Sequence, residues 1–260
     1  MKQRVITAVI ALLLLAVVLF FVPPMVAQVV IIAVILAGAW EWSAFLGMSG
    51  NGVRIAYVFG IGVLLAVVTF APGVDASLVF KISLLWWMIA LVWTFFYPTA
   101  IPIAVRWIVG MLILVPVYLA LVVLYQAGPP ILLFALLVVW VADSGAFFAG
   151  KTMGKVKLAP RISPGKTWEG VIGGFIAVGL LALVRSFWGE MDLGVFVPFC
   201  LAAACLSVIG DLTISMFKRM SGVKDSGTLF PGHGGVLDRI DSVAAAAPLF
   251  ALGASWVGLK

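Results

Sequence analysis

The residues with most chemical promise are Asp211, Asp238 and Asp241, carboxylates in or beside sequence that is otherwise apolar. An ionisable group in such a run is costly unless paired, so it marks a candidate site. Asp211 is followed by Ser215 one helical turn on and Lys218 two turns on, which puts all three on one helix face. Asp238 and Asp241, three apart at the start of the last apolar run, also share a face. Three carboxylates from two neighbouring helix ends, with no Cys/His set beside them, suit Mg²⁺ or Mn²⁺ rather than zinc. The competing reading is structural: Asp211 pairs with Lys218 or Arg219, and the other two acids complement the positive end of the final helix.

The same stretch, Ser207 to Asp241, holds four of the ten acidic residues and the only histidine. It also carries what phosphate needs. Lys218, Arg219 and Lys224 follow the first aspartate, Asp225 lies in the same loop, and Arg239 sits between the last two acids. Gly232-His233-Gly234-Gly235 offers unhindered backbone N–H groups of the kind that cradle anions. His233 is open between a general base, a phosphate donor and an ordinary loop hydrogen-bonding residue. A second candidate is Ala159–Gly170, where Ser163, Lys166 and Thr167 offer donors around a Pro-Gly turn just before a helix N-terminus. Asp143, in Trp140-Val-Ala-Asp-Ser-Gly145, is a further candidate member. Gly145–Thr152 matches the P-loop pattern, but a P-loop needs a preceding strand in a soluble α/β unit, and here the glycines lie in the last turns of an apolar run. Lys151, Lys155 and Lys157 read as a basic loop that holds topology or touches anionic lipid heads.

The elements that position these residues are membrane helices. Of 260 residues, 65% are hydrophobic and only 10% charged, against about a quarter charged in soluble domains. Uncharged runs of bilayer length recur throughout, nothing alternates as a β-barrel requires, and no gap is long enough for a soluble core. The expected fold is all-α and polytopic, with nine spans near 5–22, 25–46, 53–70, 78–97, 103–125, 131–148, 168–186, 193–217 and 240–259. The first run exceeds a signal-peptide core and lacks a small-residue cleavage site, so it reads as a retained span. Residues 1–125 form a lipid-facing scaffold, and 126–260 carry the catalytic helices and cytoplasmic loops.

Charge placement tests the span count. With a cytoplasmic N-terminus and an external C-terminus, the inside collects thirteen Lys and Arg and the outside keeps Lys81, Arg185 and Lys260. That satisfies the positive-inside bias. The net charge of +6 therefore reflects topology and not nucleic-acid binding. Glu41, Asp143 and Asp211 then sit within spans near their cytoplasmic ends. Acids gathered at one edge, without repeats, argue against a transporter, whose acids lie at the midplane of inverted repeats. Cys200 and Cys205 point to different faces of one helix and read as packing residues.

Ser215 to Asp241 resembles the signature of the phosphatidate cytidylyltransferases, S-x-x-K-R, four residues, K-D-x-G, two residues, then [LF]-P-x-H-G-G-x-x-D-R-x-D. Every fixed position matches over 27 residues without a gap. Asp143-Ser-Gly145 and Ser163–Gly170 also resemble family segments. The resemblance implies a multi-pass enzyme of the inner membrane, with its site open to cytoplasm and inner leaflet. It converts phosphatidate and CTP to CDP-diacylglycerol and pyrophosphate. It implies Mg²⁺, one cation or two, on Asp211, Asp238 and Asp241, and a homodimer. Lys166, Lys218, Arg219, Lys224 and Arg239 are then expected on phosphates. Because the attacking lipid phosphate is already an anion, His233 is expected to contact phosphate and not to act as a base.

Overall fold

The computed structural model describes residues 2–47, 50–189, 191–229 and 234–259. Nine α-helices run through them: α1 (Lys2–Phe20), α2 (Pro24–Trp42), α3 (Asn51–Phe70), α4 (Ala76–Phe95), α5 (Ile103–Ala127), α6 (Pro129–Met153), α7 (Trp168–Ser186), α8 (Leu193–Met220) and α9 (Leu237–Gly253). Seven of these, α2 to α8, are long and apolar enough to cross a membrane. The apolar part of α1 is shorter, Val9–Phe20, and α9 has 17 residues, the short end of the roughly 17–25 that a spanning helix takes.

Helix boundaries follow backbone chemistry. Pro24 and Pro129 open α2 and α6, where a missing N–H costs nothing. Asp75, Thr167 and Asp192 cap α4, α7 and α8 by accepting from Ser77 N, Gly170 N and Gly194 N. A 3₁₀ turn at Ser43–Leu46 prolongs α2 and stops at Gly47, whose φ of 69° is left-handed.

One element departs from the all-α expectation. Between α6 and α7 lies an antiparallel hairpin, β1 (Lys157–Ala159) and β2 (Ser163–Thr167), with Lys157 opposite Thr167 and Ala159 opposite Ser163. Strands this short leave too few residues for a period-two signal. The P-loop-like segment Gly145–Thr152 is continuous helix within α6, so its N–H groups are spent inside the helix.

Large apolar side chains stand exposed along α1, α3, α4 and α7, as expected of surfaces that face lipid. The interior is built round α5 and α9, where Val117–Ala120 and Ala244–Ala247 are buried. The closest pair is α6 against α7. There Gly145, Gly173 and Gly174 face the opposite helix with no room for a Cβ. Between membrane helices, which gain little from hydrophobic burial, such small residues permit the close approach that supplies packing energy.

At one end of the bundle an aromatic cluster fixes the ends of α2 and α8. The Trp42 and Phe217 rings are 4.9 Å apart, Trp93 packs on Phe217 at 6.3 Å, and Trp42 Nε1 donates to Arg106 O at 3.0 Å. Glu41 and Lys218, each next to a member of this cluster, are placed by it.

Candidate active site

The C-terminal half of α6, the middle of α8, the first turns of α7 and α9, and β2 surround a cavity of about 630 Å³, a volume typical of small-molecule sites. Its polar walls are Asp143 from α6, Ser163, Lys166 and Thr167 from β2, Asp211 from α8, and Asp238, Asp241 and Ser242 from α9. Seven of the expected site residues therefore meet on one space. The hairpin makes this possible. Trp168 N donates to Val156 O, Val156 N donates to the Glu169 carboxylate, and Thr167 caps α7. Thr167 is thus occupied as a cap as well as lining the cavity.

The ion pairs differ from those the sequence offered. Lys166 Nζ lies 2.6 Å from Asp211 Oδ2, and Ser215 Oγ donates to Asp211 Oδ1 at 3.1 Å. Lys218, one face-mate of Asp211, reaches instead across to α9 and pairs with Asp238 Oδ1 at 2.7 Å. Arg219 Nε donates to Ile162 O at 3.1 Å and so holds the hairpin turn. The reason is helix packing: α8 runs beside both α7 and α9, so longer-range partners displace the local ones.

Among the described residues, Lys218, Arg219, Lys224, Asp225 and Arg239 do not line the cavity. Lys224 and Asp225 are exposed on the loop after α8, and Arg239 is exposed on the first turn of α9. Gly234 adopts φ +82°, a conformation that glycine alone takes without strain, and a Cβ there would collide with Asp238. Gly235 N donates to Asp238 Oδ2 at 2.9 Å. His233 lies outside the described residues.

Three polar groups were not singled out for the site from sequence. Ser242 donates to Asp143 Oδ1 at 3.4 Å, Lys151 lines the cavity, and Glu41 accepts from the start of α9. Ser242 carries a local signal in its place beside Asp241, and Glu41 in being a charge within an apolar run.

The cavity's carboxylate donors suit a hard cation in part. Among the described residues no three acidic, histidine or cysteine groups form a ready-made metal shell. Yet Asp143 and Asp241 both interact electrostatically with Asp211. Three carboxylates thus crowd one cavity, and their oxygens are the donors that Mg²⁺ prefers. Asp211 and Asp241 fit such an ion. Asp238 fits less well: its side chain is only 8% exposed and its oxygens are held by the buried Lys218 and by the amides of Ser226 and Gly235, whereas Asp211, engaged by Lys166 and Ser215, is 26% exposed.

A second cavity, about 580 Å³ and mostly apolar, adjoins the first and shares Val171, Phe175 and Val208 with it. Its wall includes Leu91, Phe95, Ile162 and Leu212. A polar cavity joined to an apolar one suits a substrate with a charged head and hydrocarbon tails.

Comparison with known proteins places the chain in a family. Residues 2–256 match the family model described as cytidylyltransferase family. The phosphatidate cytidylyltransferase of Pseudomonas aeruginosa is 42% identical over 260 residues, covering 96% of both chains. That of Haemophilus influenzae is 37% identical over 282 residues, covering 96% of this chain and 97% of its own. The enzyme of that name from Staphylococcus haemolyticus is 48% identical over 121 residues, 45% of this chain. With a match that runs almost from end to end and two full-length relatives above a third identical, this chain belongs to the cytidylyltransferase family.

Proposed function

We propose that the protein transfers the cytidylyl group of CTP to phosphatidate, giving CDP-diacylglycerol and pyrophosphate. The observation that carries the reading is the crowding of Asp143, Asp211 and Asp241 with Lys166 on a polar cavity that opens into an apolar one. The names of the two full-length relatives support the same substrate pair. The triphosphate and the lipid phosphate occupy the polar cavity, and acyl chains run along Phe95, Phe175 and Leu212.

In the reaction a phosphate oxygen of phosphatidate attacks the α-phosphorus of CTP. A P–O bond forms there, the bond to the β-phosphate oxygen breaks, and its electron pair leaves with pyrophosphate. The nucleophile is already ionised, so no side chain has to remove a proton. What the site must supply is positioning and relief of charge repulsion. Lys166 and Lys151 neutralise phosphate oxygens, and Ser163 donates to them. Mg²⁺, held by Asp211 and Asp241 with Asp143 beside them, would neutralise the polyphosphate. Asp238 serves by holding Lys218 and the loop in place.

We propose further that the chain crosses the bacterial inner membrane nine times and forms a homodimer, the latter on family resemblance alone. Arg54, Arg106, Lys151, Lys166, Lys218 and Arg239 lie near the helix ends around the site, which supports a cytoplasmic orientation by the positive-inside bias.

The test uses purified protein in detergent with phosphatidate and CTP labelled at the α-phosphate. Label enters the lipid fraction with Mg²⁺, not with EDTA, and not in Asp241→Asn. Absence of lipid label from folded wild-type protein sinks the reading. Transfer of label from γ-labelled CTP would make it a lipid kinase instead.

A further inference from the structure

Glu41, near the end of α2, belongs to the half of the chain expected to act only as scaffold, and it is 7% exposed. A carboxylate so buried must find partners for its oxygens. Those found here are uncharged: Val236 N donates to Oε1 at 2.9 Å, and Leu237 N and Ser226 Oγ each donate to Oε2 at 2.8 Å. The two amides open α9, which has no side-chain cap of its own. Helix N-terminal N–H groups need an acceptor and favour negative charge. Glu41 supplies both from far upstream in the chain.

The loop is also shaped to it. Gly227 and Gly235 press on the Glu41 carboxylate with no room for a Cβ. Ser226 is shared, its hydroxyl going to Glu41 and its N–H to Asp238 Oδ2 at 2.9 Å. Glu41 in turn is fixed by its neighbours, since Arg106 Nη1 donates to Phe45 O at 3.0 Å and Trp42 Nε1 to Arg106 O.

We propose that Glu41 is the positioning residue of the reaction centre. It caps α9 and anchors Ser226, Gly227 and Gly235 beside that helix, so that Asp241 is held against Asp211, and it touches no substrate. This rests on Asp211 and Asp241 being the reacting centre, as proposed above.

Glu41→Gln keeps the shape but offers one oxygen to three donors, and Ser226→Ala removes one donor from the loop side. Steady-state kinetics on folded, monodisperse protein should show kcat for Glu41→Gln lowered by about 10- to 100-fold, as small misplacements of reacting groups cost. KM for phosphatidate should stay within about twofold, because its tails bind away from Glu41. Ser226→Ala should lose roughly 3- to 10-fold in kcat, one hydrogen bond's worth. The double variant should be less impaired than the product of the two losses, since both act through one contact. A folded Glu41→Gln with wild-type kcat overturns the proposal, as does a loss confined to KM for phosphatidate, or losses that simply multiply. If Glu41→Gln does not fold, an unchanged kcat in Ser226→Ala overturns it. Asp241→Asn in the same assay separates the two claims: full rate there sinks the site itself, whereas a slow Asp241→Asn beside a full-rate Glu41→Gln overturns only the role of Glu41.

Discussion

Lys218 Nζ and Asp238 Oδ1 are 2.7 Å apart, with side chains only 10% and 8% exposed, so α8 and α9 are joined by a buried ion pair. Removing one partner of such a pair leaves a buried charge and costs about 3–5 kcal/mol. Asp238 keeps two backbone donors, Ser226 N and Gly235 N, which places Lys218→Met at the lower end. Thermal unfolding in detergent should show a marked fall in Tm for Lys218→Met. Lys218→Met/Asp238→Asn should recover part of it, because no charge is then stranded. A double variant less stable than the single would show that the pair is not the source.

Asp211→Asn and Asp241→Asn should each leave folded protein in membranes and lower turnover by about 10²-fold or more, the scale expected when metal charge stabilises the transition state. Asp143→Asn should be milder, since Asp143 lines the same cavity but is expected only beside the ion. Mg²⁺ titration of activity should move to higher concentration in all three. Near-normal turnover and an unchanged Mg²⁺ midpoint in either of the first two would remove that residue from the site.

Glycines on α7 separate packing from flexibility. A Cβ on Gly174 would collide with Ala142 O of α6, whereas Gly179 has open space around it. Gly179→Ala should therefore stabilise by about 0.5–1 kcal/mol through helix propensity, and Gly174→Ala should lower Tm. Gly174 also lines the polar cavity, so its variant should lose activity as well. Equal effects of the two substitutions would exclude α6–α7 contact as the cause.

These relationships differ in how far the sequence reveals them. Helix boundaries are legible because Pro24, Pro129, Gly128 and the caps at Asp75 and Asp192 act within a residue or two of themselves. Asp211, Asp238 and Asp241 stand out because charge in apolar sequence is costly wherever the helices pack. Pairings are a different matter. Lys218 shares a helix face with Asp211 yet binds Asp238, and Asp211 takes Lys166 from the hairpin, a choice made by interhelical packing. Glu41 is visible as a charge in a span, but its amide partners lie 195 and 196 residues away. The hairpin escapes notice since β1 has three residues and β2 has five, with Pro164-Gly165 inside.

Lys166 and Asp211 are each 26% exposed, so their pair should add at most about 1 kcal/mol to stability. Lys166→Met should therefore leave Tm almost unchanged while lowering kcat/KM for CTP by about 10-fold or more, one lost charge-assisted phosphate contact. Lys166→Arg should recover part of the loss. A variant that unfolds early but retains kcat/KM would make Lys166 structural.

Val208 lines both cavities, where the charged head of the lipid would meet its tails. Val208→Trp adds a bulky ring at that junction and narrows the apolar space. KM for phosphatidate should rise about 10-fold or more, on the order of 1.4 kcal/mol of lost binding, while KM for CTP stays within about threefold. Short-chain phosphatidate should be less affected than long-chain, because it needs less of the groove. If instead the KM for CTP rises and that for phosphatidate does not, the apolar cavity is not where the lipid lies.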